Sequence, residues 1–177
     1  VSETAIAAPA QATVPTRLAY IGMGGNLGDA RETLQAALET LTSLERSRLV
    51  AVSPYYRSAP LQAEGADFTN AVAVLDTSLE PFALLLHLND IEKMLGRRRR
   101  AGDAPHSAAR PIDLDLLMVG SLIIRSTPLI LPHPRMHERA FVLRPLLDLD
   151  AGAVIPGHGA AAALLDRVSG QVIERLA

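Results

Sequence analysis

Residues 110–120 read RPIDLDLLMVG, and two acids, Asp113 and Asp115, stand one residue apart in a run that is otherwise apolar. Side chains on a strand alternate between its faces, so Ile112, Leu114 and Leu116 share one face and can enter a core. Asp113 and Asp115 share the other, roughly 7 Å apart along the backbone. Two unpaired like charges there repel, so something must compensate them. An arginine would serve, and so would Mg²⁺, a hard cation that prefers oxygen ligands and often pairs with phosphates. Two carboxylates at this spacing could also bracket a pair of metals about 4 Å apart, as in in-line phosphoryl transfer. Alone, Asp-x-Asp is short enough to mark nothing more than a solvated strand face.

Working upstream, RRRRAGDAPHSAA (97–109) is a loop of basic and small residues that delivers Arg110 to the strand. Before it, Leu84, Leu88, Ile91 and Leu95 form a helical stripe, with Ser78 as the expected cap, Pro81 in the first turn and Gly96 as the stop. FTNAVAVLDTS (68–78) reads as a strand with Val72 and Val74 on one face, and SRLVAVSPYYRSAP (47–60) as its antiparallel partner. RLAYIGMG (17–24) is a first strand running into the turn GGNLG (24–28). Asp29 and Glu32 then form a capping box ahead of Leu34, Ala37, Leu38 and Leu41. The order is β-α-β-β-α-β, which predicts an α+β, ferredoxin-like antiparallel sheet with helices on one face. Downstream, SLIIRSTPLILP reads as short strands, RMHERAFVLRPLLDL as a helix and AAALLDRVSGQVIERL as a C-terminal helix.

The chain's 177 residues, 49% of them apolar and 20% charged, suit one globular domain, assigned to 17–177. Residues 1–16, rich in Ala, Thr and Pro, are read as a flexible extension lacking the basic start of a signal peptide. A net charge of −2 offers no global field for nucleic acid or an acidic membrane. There is no cysteine, hence no disulfide framework, thiolate metal site or cysteine nucleophile, and no apolar run approaches roughly 18 residues. A cytoplasmic enzyme or binding domain is the expectation.

Lys93 is the only lysine, so nearly every cation is an arginine, a side chain suited to forked contacts with phosphate. Arginines gathered beside an acid pair are what a polyphosphate substrate requires. No Walker A sequence is present, so a nucleotide must be held by another design. Two rivals fit parts of the pattern. A nucleotidyltransferase also combines a glycine turn with Asp-x-Asp, but close together in sequence. A ferredoxin-like RNA-binding module needs aromatic residues in the basic loop or on the sheet, and the loop has none.

HSAARPIDLDLL (106–117) resembles the signature of 6-hydroxymethyl-7,8-dihydropterin pyrophosphokinase, a folate-pathway family. YIGMGGNLGD, SPYYRSAPL, ADFTNAVAVL, LNDIEKMLGRRR and LPHPRMHERAFVLRPL are similar to its other blocks, in the same order, from about Leu18 to the last helix. The resemblance implies a ferredoxin-like fold and transfer of pyrophosphate from ATP to the pterin hydroxymethyl group, releasing AMP. It implies two Mg²⁺ ions on Asp113 and Asp115, with Arg97 and Arg110 as catalytic-loop arginines. Asn89, Glu92, Arg97, Arg99, Arg110, His133 and Arg139 match positions around the nucleotide. Ser58, Ala59, Leu61, Phe68, Asn70 and Phe141 match the pterin pocket. ATP and the reduced pterin are the expected partners of a monomer that binds neither nucleic acid nor membrane.

The pocket assignment also has a physical reading. A flat ring with an edge of donors and acceptors needs stacking faces and an amide able to do both, which the two phenylalanines and Asn70 supply. Otherwise Phe68 and Phe141 would be read as core, Glu92 as surface charge and His133 as part of a proline turn. The chain departs from the family in two places. His106, Ser107, Ala108 and Ala109 replace an Arg-Trp-Gly-Pro in a longer loop, which is expected to be mobile and to close on nucleotide. Gly25 replaces a serine, which is expected to loosen its turn.

Overall fold

The computed structural model describes residues 15–61, 65–97 and 109–177. Residues 1–14 and 98–108, with Arg99 and most of the arginine loop, lie outside the described residues. Seven elements build the first part of the fold: β1 (Arg17–Gly25), α1 (Ala30–Thr42), β2 (Ser47–Val52), β3 (Tyr56–Ser58), β4 (Phe68–Thr77), α2 (Pro81–Met94) and β5 (Asp113–Val119). β1 lies between β4 and β5, and every pairing in this sheet is antiparallel. Asp29 caps α1, its Oδ1 accepting from the Glu32 amide at 2.9 Å.

The segment 47–60 is two strands rather than one. At Ser53-Pro54 the chain leaves β2, since proline brings no N–H to a ladder. Ser53 fills the gap: its Oγ accepts from the Val72 amide and its own amide donates to the Val72 carbonyl, both at 2.9 Å. β2 and β3 therefore lie end to end along β4. The expected cap of α2 is also corrected. Glu80 occupies that position without a side-chain bond. Ser78 instead accepts from Arg46 Nε at 3.3 Å. Gly96, at φ +91°, does end the helix as expected.

α1 and α2 cover one face of the sheet. Leu34, Leu41, Leu84 and Leu88 pack there on Ile21, Leu75, Leu114 and Leu116. Each fully buried Leu or Ile contributes about 1.5–3 kcal/mol. The expectation of helices on one face holds only for this part. The other face is covered by α3 (Ala140–Leu149) and α4 (Ala161–Arg167), whose Val142, Leu143, Leu146 and Leu164 meet Val72, Val74, Leu117 and Met118.

The C-terminal half departs from the sequence reading in three further ways. RMHERAFVLRPLLDL splits into a single 3-10 turn (Met136–Glu138) and α3. SLIIRSTPLILP does form the expected short strands, β6 (Ile124–Ser126) with β7 (Leu129–Leu131), but a second small hairpin, β8 (Val154–Ile155) with β9 (Gly159–Ala160), was not foreseen. The C-terminal segment is helical only as far as Arg167; it then turns at Ser169-Gly170 and adds β10 (Ile173–Arg175) to the edge of β3. No described helix is long and apolar enough to cross a membrane.

β5 carries a bulge that matters for the site. Tyr20 faces Met118 while Ile21 faces Leu116, so Leu117 is one residue too many for its partner. Leu117 and Met118 consequently both enter the second core. The Leu117 carbonyl accepts from the His133 amide at 2.7 Å, pinning the chain that follows β7 beside the acid pair.

Candidate active site

Asp113 and Asp115 end on the sheet face shared with α3 and α4, in the part those helices leave open. They pair across β1 with Gly24 and Gly22, and β1 in turn sets Gly24 opposite Asn70 of β4. The outer face of the sequence reading is thus the floor of a cleft rather than open surface. Ser58, Ala59, Leu61, Phe68, Asn70, Phe141, Arg110, Arg139 and both aspartates line it, around about 760 Å³ of space that includes the mouth. All six residues expected for the pterin pocket therefore line this cleft. Asn89, Glu92 and Arg97 line a second recess beside α2, linked to Asp113 through Arg97.

What compensates the acids is three arginines, one just before β5 and two from farther off in the chain, with an imidazole beside them. Arg97 Nη1 bridges Asp113 and Glu92, and Arg110 Nη2 lies 2.9 Å from the other Asp113 oxygen. Arg139 Nη1 and His133 Nε2 approach Asp115 to 3.7 and 4.0 Å. Burial pushes the Asp115 carboxyl above the usual range, and the charge of Asp113 adds to this against His133, Arg139 and Arg110. Burial holds His133 below its ordinary value although Asp115 opposes it. The neutral imidazole accepts the Arg135 amide at Nδ1, 3.2 Å away.

Glu92 is not a surface charge. It is 3% exposed, and its Oε1 accepts the Leu114 amide at 2.7 Å, tying α2 to the strand between the two aspartates. Burial raises its pKa, opposed by the Leu114 bond and by Arg97.

The aromatic side of the cleft is equally built. Asn70 is buried, and its Nδ2 donates to Ser58 Oγ at 3.0 Å. A Cβ on Gly24 would come within 3.2 Å of Asn70 Oδ1, so glycine leaves that oxygen room. Phe68 and Phe141 are half-buried rather than core. Arg110 lies 5.3 Å from the Phe68 ring centre and Arg139 5.6 Å from that of Phe141, so each ring touches a cation that also serves an acid.

Gly25 does not loosen its turn. A Cβ there would fall 2.4 Å from the Pro111 carbonyl oxygen, so the bare backbone admits a close approach of the strand after the arginine loop. Asn26 completes the clamp: its amide donates to the Arg110 carbonyl (3.0 Å) and its Oδ1 accepts the Arg110 amide (2.9 Å). Its Nδ2 reaches Ala66 O, 3.1 Å away, just before Phe68. Sequence reasoning missed Asn26, Pro60 and Arg135. GGNLG drew attention only for its glycines, and nothing in the pattern of PHPR marks its arginine.

The 7,8-dihydro-6-hydroxymethylpterin-pyrophosphokinase family matches residues 20–151. The chain belongs to that family. As a pyrophosphokinase it is 42% identical, over 158 residues, to the 2-amino-4-hydroxy-6-hydroxymethyldihydropteridine pyrophosphokinase of Pseudomonas aeruginosa, covering 89% of this chain and 95% of the relative. The Haemophilus influenzae enzyme of the same name is 40% identical over 141 residues, 78% of this chain and 84% of the relative. Among solved structures, a Plasmodium falciparum HPPK-DHPS superposes with a TM-score of 0.69 at 14% identity, over 89% of this chain and 46% of that one. An HPPK-DHPS in complex with substrates gives 0.67 at 13%, over 86% and 43%. The pyrophosphokinase chain thus spans under half of those proteins, and the likeness to them is one of fold.

The donor set fits a small hard cation. The acid pair offers carboxylate oxygens, the ligands that a hard ion such as Mg²⁺ prefers alongside water and phosphate. The Nε–H groups of Arg110 and Arg139 are buried without a partner among the described residues, as donors awaiting an anion would be.

Proposed function

We propose that this pyrophosphokinase transfers the β,γ-pyrophosphoryl unit of ATP to the hydroxymethyl oxygen of 6-hydroxymethyl-7,8-dihydropterin, releasing AMP, and that it acts as a monomer. One observation carries the reading. A single cleft joins an acid pair ringed by arginines to a buried amide flanked by two aromatic rings. Polyphosphate chemistry needs the first half and a flat, hydrogen-bonding heterocycle the second.

Asp113 and Asp115 would hold Mg²⁺, two ions in the fullest form of the proposal. The metal would supply charge neutralisation and orientation of the phosphates. The chain's own groups do the rest. Asn70 reads the pterin edge while Phe68 and Phe141 flank the ring, fixing the hydroxyl for attack. The pterin oxygen bonds to the β-phosphorus as the bond from that phosphorus to the α-bridging oxygen breaks, and AMP leaves with that oxygen. Arg97 and Arg110, which rest on Asp113, transfer to phosphate oxygens when nucleotide enters; Asn89, Glu92, His133 and Arg139 surround the nucleotide, and the resemblance assigns Arg99, outside the described residues, to the same group. Such catalysis rests on positioning and electrostatics.

The test is product analysis of the chain with ATP, the reduced pterin and Mg²⁺. AMP and the pterin diphosphate are expected in equal amounts, with neither formed when Mg²⁺ is removed by chelation. Release of pyrophosphate in place of AMP would overturn the reading in favour of nucleotidyl transfer.

A further inference from the structure

Four described arginines stand around the acid pair, and three of them are committed to it. Arg97 and Arg110 rest on Asp113, and Arg139 lies 3.7 Å from Asp115. Arg135, the fourth, lines the same cleft from the turn before the 3-10 helix, half-buried, and forms no ion pair among the described residues. Its guanidinium is close enough to disfavour positive charge on both His133 and Arg139. The four arginines outnumber Asp113, Asp115 and Glu92 by one positive charge, and at Arg135 no carboxylate among the described residues answers it.

We infer that Arg135 is a further nucleotide-binding residue, whose guanidinium takes an oxygen of the ATP phosphate chain beside His133 and Arg139. Several observations on its backbone support a built position. The Arg135 amide donates to His133 Nδ1 at 3.2 Å, and the His133 amide is held by the bulged Leu117 carbonyl at 2.7 Å. Arg135 is therefore tied to β5 two residues beyond Asp115, not carried on a free loop. A cation placed against two others costs energy in the empty cleft and is relieved by a polyanion, which makes its effect one on binding. The inference rests on the proposed function, because it presumes that the phosphates lie over the acid pair.

Calorimetric titration separates the two. Wild-type chain is titrated with α,β-methylene-ATP and Mg²⁺, and separately with the pterin, followed by Arg135→Gln and Arg135→Lys, each checked by thermal melting. Loss of one charge-assisted contact should weaken nucleotide binding by about tenfold or more in Arg135→Gln. Arg135→Lys should lose less, and pterin affinity should stay at the wild-type value. Nucleotide affinity within twofold of wild type in Arg135→Gln, or an equal loss for both ligands, would overturn the role of Arg135 while leaving the proposed function standing. Failure of the wild-type chain to bind nucleotide with Mg²⁺ would overturn both.

Discussion

Glu92 offers the sharpest test of how the site is held, because a buried acid there serves a backbone amide and a guanidinium together. In Glu92→Ala the Leu114 N–H loses its acceptor inside the core, which costs about 1–3 kcal/mol. Arg97 keeps Asp113 but loses its second acid. Breaking a buried ion pair outright costs about 3–5 kcal/mol, so the surviving partner places this loss towards or below the lower end. Together the expected destabilisation is about 3–5 kcal/mol. Glu92→Gln keeps an oxygen for Leu114 and gives up only the charge, which burial already disfavours, so its cost should stay within about 1 kcal/mol.

The pH dependence follows from the same burial. The folded-state pKa of Glu92 lies above its ordinary value near 4.5, so the folded chain holds this proton more tightly than the unfolded chain. Its contribution to stability is full below 4.5 and is lost as pH rises through the higher folded value. The stability of wild type relative to Glu92→Gln should therefore fall as the buffer is raised from below 4.5 towards neutrality. Urea unfolding followed by circular dichroism at several pH values measures all three chains. Glu92→Ala within 1 kcal/mol of wild type, or Glu92→Gln as damaged as Glu92→Ala, would refute the reasoning.

Asp115→Asn should leave the melting temperature unchanged or higher, since burial and Asp113 both penalise its charge, while turnover falls about a thousandfold, or about 4 kcal/mol; near-full AMP formation by this variant would remove the metal-ligand role. Asn70→Ala should weaken pterin binding about tenfold to a hundredfold and leave the ATP analogue unaffected, as read by calorimetry. His158 stacks on His137 with ring centres 3.9 Å apart, and burial and the neighbouring imidazole hold its pKa below 6.5. Its contribution to stability is present above 6.5 and is lost as pH falls through the lower folded value. Thermal melts of His158→Gln should accordingly show a shallower decline below pH 6.5 than wild type.

Much of the fold and the outline of the site were legible in the chain itself. Alternation in IDLDLL separated a core face from an acid pair, and the structure buries Ile112, Leu114 and Leu116 on one side with both acids on the other. The stripes of α1 and α2, the Asp29 cap and the Gly96 stop are local features, set by residues a turn apart, so a linear reading reaches them. The family blocks named most of the residues that line the cleft, among them Asn70 and the two phenylalanines, but not Pro60 or Arg135.

Tertiary structure decided the rest, because periodicity states which face is apolar and not what covers it. Val72, Val74, Leu117 and Met118 could not announce that α3 and α4 lie over them, nor Ile173–Arg175 that they extend the sheet beyond β3. The arginines that neutralise Asp113 and Asp115 come from positions 97, 110 and 139, with the His133 imidazole beside them, and only folding brings Arg97, His133 and Arg139 within reach. Glu92 looked like a solvated helix charge because its partner is a backbone amide of another element, which leaves no trace in side-chain pattern. Composition and spacing determined that two acids would share a face; the packing of distant segments determined what answers their charge.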